Sequence, residues 1–312
     1  MRDKLLIAIL GPTGVGKTTI SLGFAERHKG EIVSADSRLV YHGMDIGTAK
    51  PTPAEQMRVR HHLIDVVEPA DDWNLAKYQS GAGEAIDNIH VRGKIPFLVG
   101  GTGQYIIAVL EGWTPPPKSQ DVGFRTSLEQ QAKETGYEIL HRQLEDIDPI
   151  AAERIDARNV RRVIRALEIY HVTGLPPSQL RSKSPPNFDV LKIGLTLPRD
   201  QLYARIDARI EEMMEAGWLD EVETLLSLNI PQGAPSMSAI GYAQLAEYLQ
   251  GKVELDEALA ETRRLTRQFV RRQANWFKPE DPSINWFIND EGVEEEIEGC
   301  ISTWVDTEPT EA

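Results

Sequence analysis

An α/β protein with a parallel sheet and a helical insertion is predicted by three features of the sequence. Apolar runs of strand length recur at 5–10, 31–36, 95–99 and 190–197. Two of them lead into glycine-rich turns, at 11–18 and 100–105, that open onto helical patterns. A long helical stretch, 121–173, lies between the last two runs and is bracketed by proline clusters. Buried parallel strands joined by helices, with one inserted subdomain, account for all three.

The first turn sets the frame. Gly11-Pro12-Thr13-Gly14-Val15-Gly16-Lys17-Thr18 fits the pattern G-x-x-x-x-G-K-[ST], and the helix behind it carries Ile20, Phe24 and Ala25. Strand, loop and helix come in the order that a phosphate-cradling loop requires, so the core is expected to be P-loop NTPase-like. Glycines let backbone N–H groups turn inward around an anion, and the helix N-terminus adds partial positive charge. Lys17 adds a full charge, and the Thr18 hydroxyl is placed to ligate Mg²⁺. Gly11, Thr13, Gly14, Val15, Gly16, Lys17, Thr18 and Thr19 form the candidate cradle. The motif specifies a diphosphate or triphosphate. It specifies neither ATP nor a kinase.

The remaining elements follow in order. A second strand, 31–36, ends on Asp36, and a loop punctuated by glycine and proline runs to Pro51. A third strand is expected over 61–67. Its His61 and His62 point to opposite faces, and no further ligand sits at metal-binding spacing. Asn74 is placed to cap a helix reaching about residue 89. The strand at 95–99 ends in Gly100-Gly101-Thr102-Gly103, which puts Asp36, Thr102 and the phosphate loop on one sheet edge, where open α/β sheets bind ligands. The prolines at 115–117, with Lys118 after them, form a stiff exit, and those at 176–177 and 185–186 mark the return. The expected division is a core of 1–114 plus 188–312 and an insertion of 115–187. Asp200 is expected to cap a helix in which Leu202, Ile206, Ile210 and Met213 make one apolar stripe and Gly217 is the stop. In a last long helix, 255–277, Leu265, Phe269 and Trp276 share one face, and Arg263, Arg267 and Arg271 another.

Composition narrows the class. The chain has 312 residues, and no apolar run approaches the roughly 18 residues of a membrane span. The first strand starts at Leu5, which leaves no expected secretory leader. The one cysteine, Cys300, excludes an internal disulfide framework and reads as a small packed residue. A cytoplasmic monomer is expected. The net charge of −14 argues by itself against a nucleic-acid partner. Its distribution argues otherwise, because arginines cluster at 158–165 and 263–272 while the tail from Glu291 to Glu311 carries only acids among its charged residues.

The P-loop alone suits a small-molecule kinase, which also uses an acid after the second strand. A nucleotide-switch module is a third reading, but no D-x-x-G follows a strand. The large arginine-bearing insertion exceeds what a small kinase needs. From about Leu5 to Phe277 the chain resembles the tRNA dimethylallyltransferases, the IPP transferase family. The resemblance is carried by the phosphate loop, by Ser34-Ala35-Asp36-Ser37-Arg38-Leu39-Val40-Tyr41, and by Gly43-Met44-Asp45-Ile46-Gly47-Thr48-Ala49-Lys50-Pro51. Gly100-Gly101-Thr102-Gly103-Gln104-Tyr105 and the stretches at 159–168, 239–242 and 266–277 add to it. The family often has a bulky apolar residue at the position of Gly103 and lysine at that of Arg271. The first departure is expected to loosen the turn after Thr102.

The resemblance implies transfer of a dimethylallyl group from dimethylallyl diphosphate to the N6 amine of the adenosine beside the anticodon, with Mg²⁺ as cofactor. A relative acting on free adenine nucleotides is the alternative within the family. On this reading the phosphate loop and Arg205 hold the diphosphate, although Arg205 also suits a solvated helix position. Asp36 is the general base and Thr102 steadies the amine or the base. A flipped adenosine would enter past Asp36, Ser37, Arg38 and Leu39, beside Thr102. The implied tRNA contacts are Arg125, Arg161, Arg162, Val163, Ile164 and Arg165 on the insertion, and Arg267, Arg271 and Gln273 on the last long helix.

Overall fold

The computed structural model describes residues 4–116, 121–180, 183–228, 230–231 and 233–306. Residues 117–118 of the proline exit and Glu308 and Glu311 of the acidic tail lie outside them. Two compact units emerge, one of residues 1–110 and 186–312, the other of 111–185.

The larger unit is built on β1 (Leu5–Leu10), which continues through the phosphate loop into α1 (Lys17–Arg27). β2 (Glu31–Ser34), α2 (Pro53–Arg58), β3 (His61–His62), α3 (Leu75–Val91), β4 (Pro96–Gly100) and α4 (Gly103–Leu110) follow. All strand pairs are parallel, in the order β3-β2-β4-β1, and β1 also pairs on its other side with a strand that returns after the insertion. Strands covered on both faces need apolar residues at every position rather than alternate ones. In β1, Ile7 and Ile9 face one core while Leu6, Ala8 and Leu10 face the other, all at 0% exposure. α1 covers the first face with Ile20 and Phe24. α3 and α4 cover the second with Tyr78, Ile86, Ile89 and Ile106. Asn74 caps α3, its side-chain oxygen accepting the N–H groups of Ala76 and Lys77.

β3 corrects the expected strand over 61–67. Leu63 and Asp65 adopt φ values of 61° and 51°, which turn the chain off the sheet after two residues. A charge cluster around the buried Glu31 carboxylate fixes this edge. His62 contacts Glu31 at 2.7 Å, and Arg92 and Lys94 donate to the same carboxylate. Burial pushes the Glu31 carboxyl up, but these partners prevail and hold it at about 2. Among the described residues no cluster of three or more His, Cys, Asp or Glu could hold a metal.

The smaller unit contains α5 (Val122–Thr135), α6 (Tyr137–Ile147), α7 (Pro149–Arg154) and α8 (Val160–Thr173). Its own core includes Leu128, Leu140, Leu144, Val163, Ile164 and Leu167. The buried Asp148 carboxylate caps α7 through the Ala151 N–H at 3.0 Å and takes the Ser178 N–H at 2.8 Å, tying the returning segment to the helices.

The chain resumes the sheet with β5 (Asp189–Thr196), then forms α9 (Arg199–Glu215), α10 (Trp218–Ser227), α11 (Tyr242–Leu249) and α12 (Leu255–Gln273). β6 (Asn285–Ile288) adds to β5, and α13 (Val293–Asp306) closes the described chain. α9 begins before Asp200, with Pro198 at the cap position, so Asp200 sits in the first turn. There a carboxylate favours the helix dipole without capping it. Leu202, Ile206 and Ile210 are buried, Met213 is half-buried, and the helix ends before Gly217. α12 buries Ala258, Thr262, Val270 and Gln273, not the face of Leu265, Phe269 and Trp276. The acids of α13 point away from the buried Val293, Ile297 and Ile301, and Arg27 pairs with Glu294 and Glu298. Cys300 packs half-buried beside them. Among the described residues no helix is long and apolar enough to cross a membrane.

Candidate active site

The phosphate loop lies beyond the carboxyl end of β1, beside the ends of β2 and β4. A cavity of about 100 Å³ opens there, lined on its polar side by Thr13, Gly14, Gly16, Lys17, Thr18, Asp36 and Arg209. Ile32, Leu39, Ala49, Pro51, Ile64 and Val99 form its apolar walls. Ser21, Ser34, Thr48 and His61 also line it, and a cavity with both charged and apolar walls suits a short hydrocarbon carried on an anionic group.

The cradle residues divide by what their atoms do. Lys17 Nζ donates to the Pro12 carbonyl at 2.8 Å, at the first turn of α1. Burial lowers its ammonium to about 8; Asp36 opposes this shift and Arg209 adds to it. The Thr18 hydroxyl borders the cavity on the next position of the helix. Gly11 is buried under the loop, and Val15 is at 0% exposure with its side chain in the core. Thr19 is exposed outside the cavity lining. The Thr13 N–H does not face the anion site: it donates to Gln273 Oε1 at 2.9 Å. Arg205 is exposed on α9, with a guanidinium nitrogen 3.9 Å from where a Gly16 Cβ would lie. Arg209 was not singled out from the sequence. It lies one turn beyond Arg205, and that i, i+4 spacing was the available signal. Burial lowers its pKa, with Glu212 and Asp36 acting in opposition.

Asp36 follows β2 and accepts the Arg38 N–H at 2.8 Å, an Asx-type turn that fixes the carboxylate at the cavity edge. The Thr102 hydroxyl accepts the Ser37 N–H at 3.2 Å and so clamps the peptide beside Asp36. Leu39 lines the cavity, whereas the Arg38 guanidinium reaches the Pro235 carbonyl and the Ser238 hydroxyl. The loop supplying Ala49 and Pro51 is held from outside the motif. The Glu221 carboxylate accepts the N–H groups of Asp45 and Ile46 at 2.8 Å each and of Gly47 at 3.2 Å. Lys50 binds the Tyr41 carbonyl at 2.8 Å, Asp45 at 2.5 Å, and Asp65.

Gly103 does not loosen its turn. A Cβ there would fall 2.2 Å from Trp276 Cγ, so the indole occupies the space a bulky residue would take, and α4 starts at Gly103. Gln273 is buried with its amide shared between Thr13 and the Gly101 carbonyl. It is a strut between two turns, not an RNA-facing side chain. Arg267 pairs with Asp207, and Arg271 is exposed, donating to Tyr203 Oη at 3.4 Å.

In the helical unit Arg161 and Arg162 are exposed at the start of α8. Val163 and Ile164 instead fill its core at 0% and 3% exposure, which removes their side chains as RNA contacts. Arg125 makes two 2.7 Å hydrogen bonds to Glu168, a carboxylate buried in this unit, and Arg165 stands 3.6 Å from the same group.

These features define a P-loop α/β protein whose loop shares a cavity with a carboxylate and several apolar side chains. The chain belongs to the IPP transferase family, whose sequence pattern matches residues 39–280. The tRNA dimethylallyltransferase of Roseiflexus castenholzii is 55% identical over 273 residues, 88% of this chain and 89% of that protein. The tRNA isopentenylpyrophosphate transferase of Bacillus halodurans superposes with a TM-score of 0.71 at 41% identity, covering 97% of this chain and 96% of the other. A eukaryotic dimethylallyltransferase solved acting on tRNA gives a TM-score of 0.83 at 26% identity, covering 99% of this chain and 81% of that one.

Proposed function

We propose that this protein transfers a dimethylallyl group from dimethylallyl diphosphate to the N6 amine of the adenosine beside the anticodon of tRNA. The observation that carries the reading is the cavity, whose apolar walls adjoin Lys17, Thr18 and Asp36 and leave room for a five-carbon chain. The N6–C1 bond forms as the C1–O bond to diphosphate breaks. The leaving electron pair stays on the diphosphate, and the amine proton goes to the Asp36 carboxylate. Charge growing on the diphosphate is met by Lys17, Arg209 and Arg205 and by the N–H groups opening α1. Thr102 keeps the Asp36 turn in place. The Thr18 hydroxyl is a hard oxygen donor on the cavity that would hold Mg²⁺ beside the diphosphate, leaving Asp36 as the proton acceptor. When bound, Mg²⁺ would offset diphosphate charge. An adenosine must leave its stack to reach Asp36, and RNA loops allow this at modest cost. Arg161 and Arg162 are exposed, which suits contact with the RNA backbone. The work fits a cytoplasmic monomer.

The deciding experiment incubates the purified protein with Mg²⁺, labelled dimethylallyl diphosphate and an unmodified anticodon stem-loop, followed by mass spectrometry of the digested RNA. A gain of one C₅H₈ on the adenosine beside the anticodon is expected. Label on free AMP or ATP alone would move the acceptor to the nucleotide pool, and ATP turnover without prenyl transfer would overturn the reading.

A further inference from the structure

A segment outside every motif described above reaches the phosphate loop. β6 extends the sheet beside β5, and Asn289, just past its end, donates its backbone N–H to the Thr196 carbonyl at 2.9 Å. Its side-chain Nδ2 donates to the Val15 carbonyl at 2.6 Å. The described chain contains no cis peptide bond. In a trans peptide the carbonyl and the following N–H point in opposite directions. Holding the Val15 carbonyl on Asn289 therefore turns the Gly16 N–H the other way, and Gly16 lines the cavity. Gly16 has φ of 96°, and a Cβ there would lie 2.4 Å from Asn289 Nδ2, so only glycine lets the amide come this close. The Thr13 peptide is oriented the opposite way, its N–H spent on Gln273. α13 steadies the segment, with Val293, Ile297 and Ile301 in the same core as Val15.

We propose that Asn289 is a positioning residue of the diphosphate cradle, presenting the Gly16 N–H to the anion by anchoring the Val15 carbonyl. The proposal rests on the reading of the loop as a diphosphate site. Asn289 touches no reacting atom. Its effect falls on anion affinity and not on RNA.

The test uses the full chain with Mg²⁺ and inorganic diphosphate, titrated by calorimetry, with binding of the anticodon stem-loop as the control. Asn289→Ala is expected to weaken diphosphate binding about fivefold, the net worth of one hydrogen bond, and to leave RNA affinity within twofold. Amide NMR of the unaltered protein is expected to show the Gly16 N–H shifting and gaining exchange protection with diphosphate, while the Thr13 N–H does not respond. Diphosphate binding by Asn289→Ala as tight as by the parent would overturn the proposal. So would a Gly16 N–H indifferent to diphosphate in the parent, which decides the matter even if the variant fails to fold. A parent that binds no diphosphate would instead sink the underlying reading of the loop.

Discussion

Gln273 accepts the Thr13 backbone N–H at 2.9 Å, joining α12 to the phosphate loop across 260 residues of sequence. The same amide donates to the Gly101 carbonyl at 2.9 Å, so one side chain sets the spacing of both glycine-rich turns. Gln273→Leu keeps the volume and strands a donor and an acceptor. The expected loss is about 1–3 kcal/mol of stability, measured by urea unfolding. Anticodon stem-loop affinity should stay within twofold, since Gln273 is buried. A tenfold fall in RNA affinity without loss of stability would return Gln273 to the RNA surface.

Lys17 should make donor binding sensitive to pH. Its ammonium is lowered from 10.5 to about 8, chiefly by burial. Above about 8 the free protein loses the cation proposed to meet the diphosphate, so kcat/KM for dimethylallyl diphosphate should fall on the alkaline side. Lys17→Arg should flatten that limb because guanidinium stays charged, at the cost of a poorer fit. Stability runs in the other direction. From about 8 to 10.5 the unfolded chain holds this proton and the folded chain does not, so the contribution of Lys17 to stability rises with pH. A kcat/KM that stays level from pH 7 to 10 would rule out Lys17 as the titrating cation.

Asp36→Asn keeps the shape of the turn and its acceptor toward the Arg38 N–H. It removes the proposed proton acceptor. Single-turnover transfer should slow by about 10²–10⁴-fold, with RNA and donor affinities within a few-fold. Transfer at near-parent rate would require another base.

The glycine loop, its flanking strand and helix, and the carboxylate after β2 were legible because each is a local pattern: an apolar run, a fixed spacing, a turn residue. The rest depended on distance. Nothing near Glu221, Asn289 or Gln273 in sequence announces that each meets a backbone group of a remote loop, at Ile46, Val15 and Thr13. The strand expected through Val67 failed because Leu63 and Asp65 take left-handed backbone conformations that residue type does not forecast. Arginines showed themselves as charge, yet which ones face a buried acid, as Arg125 does, is a property of packing.

The arginines of the helical unit should therefore separate into two behaviours. Arg161 and Arg162 are exposed. Reversing both to glutamate should weaken stem-loop binding and lower the slope of log K against log salt by about 1 to 2, with the melting temperature unchanged. Arg125→Ala should do the reverse. It leaves the buried Glu168 without its two 2.7 Å hydrogen bonds, which should cost about 1–3 kcal/mol of stability. Salt-dependent binding measured beside thermal unfolding separates the two. Equal salt slopes for the parent and the double variant would remove these arginines from the RNA contact.

Glu221 gives the last test, because it builds the cavity wall without entering it. Its carboxylate gathers the N–H groups of Asp45, Ile46 and Gly47 and the Tyr242 hydroxyl at 2.5 Å. An anion that accepts several N–H groups fixes a loop far better than a neutral amide. Glu221→Gln is nearly isosteric and keeps one acceptor oxygen but turns its NH₂ toward the other pair of donors, so the anchor should weaken. Ala49 and Pro51, which line the cavity, lie on that loop. KM for dimethylallyl diphosphate should rise about three- to tenfold, the equivalent of one charge-assisted hydrogen bond partly lost, while stem-loop affinity holds. The variant should also accept a longer allylic diphosphate such as geranyl diphosphate better relative to the parent, because a loosened wall no longer limits the chain. Unchanged KM and unchanged chain-length preference would mean that the loop holds its place through Lys50 and its partners alone.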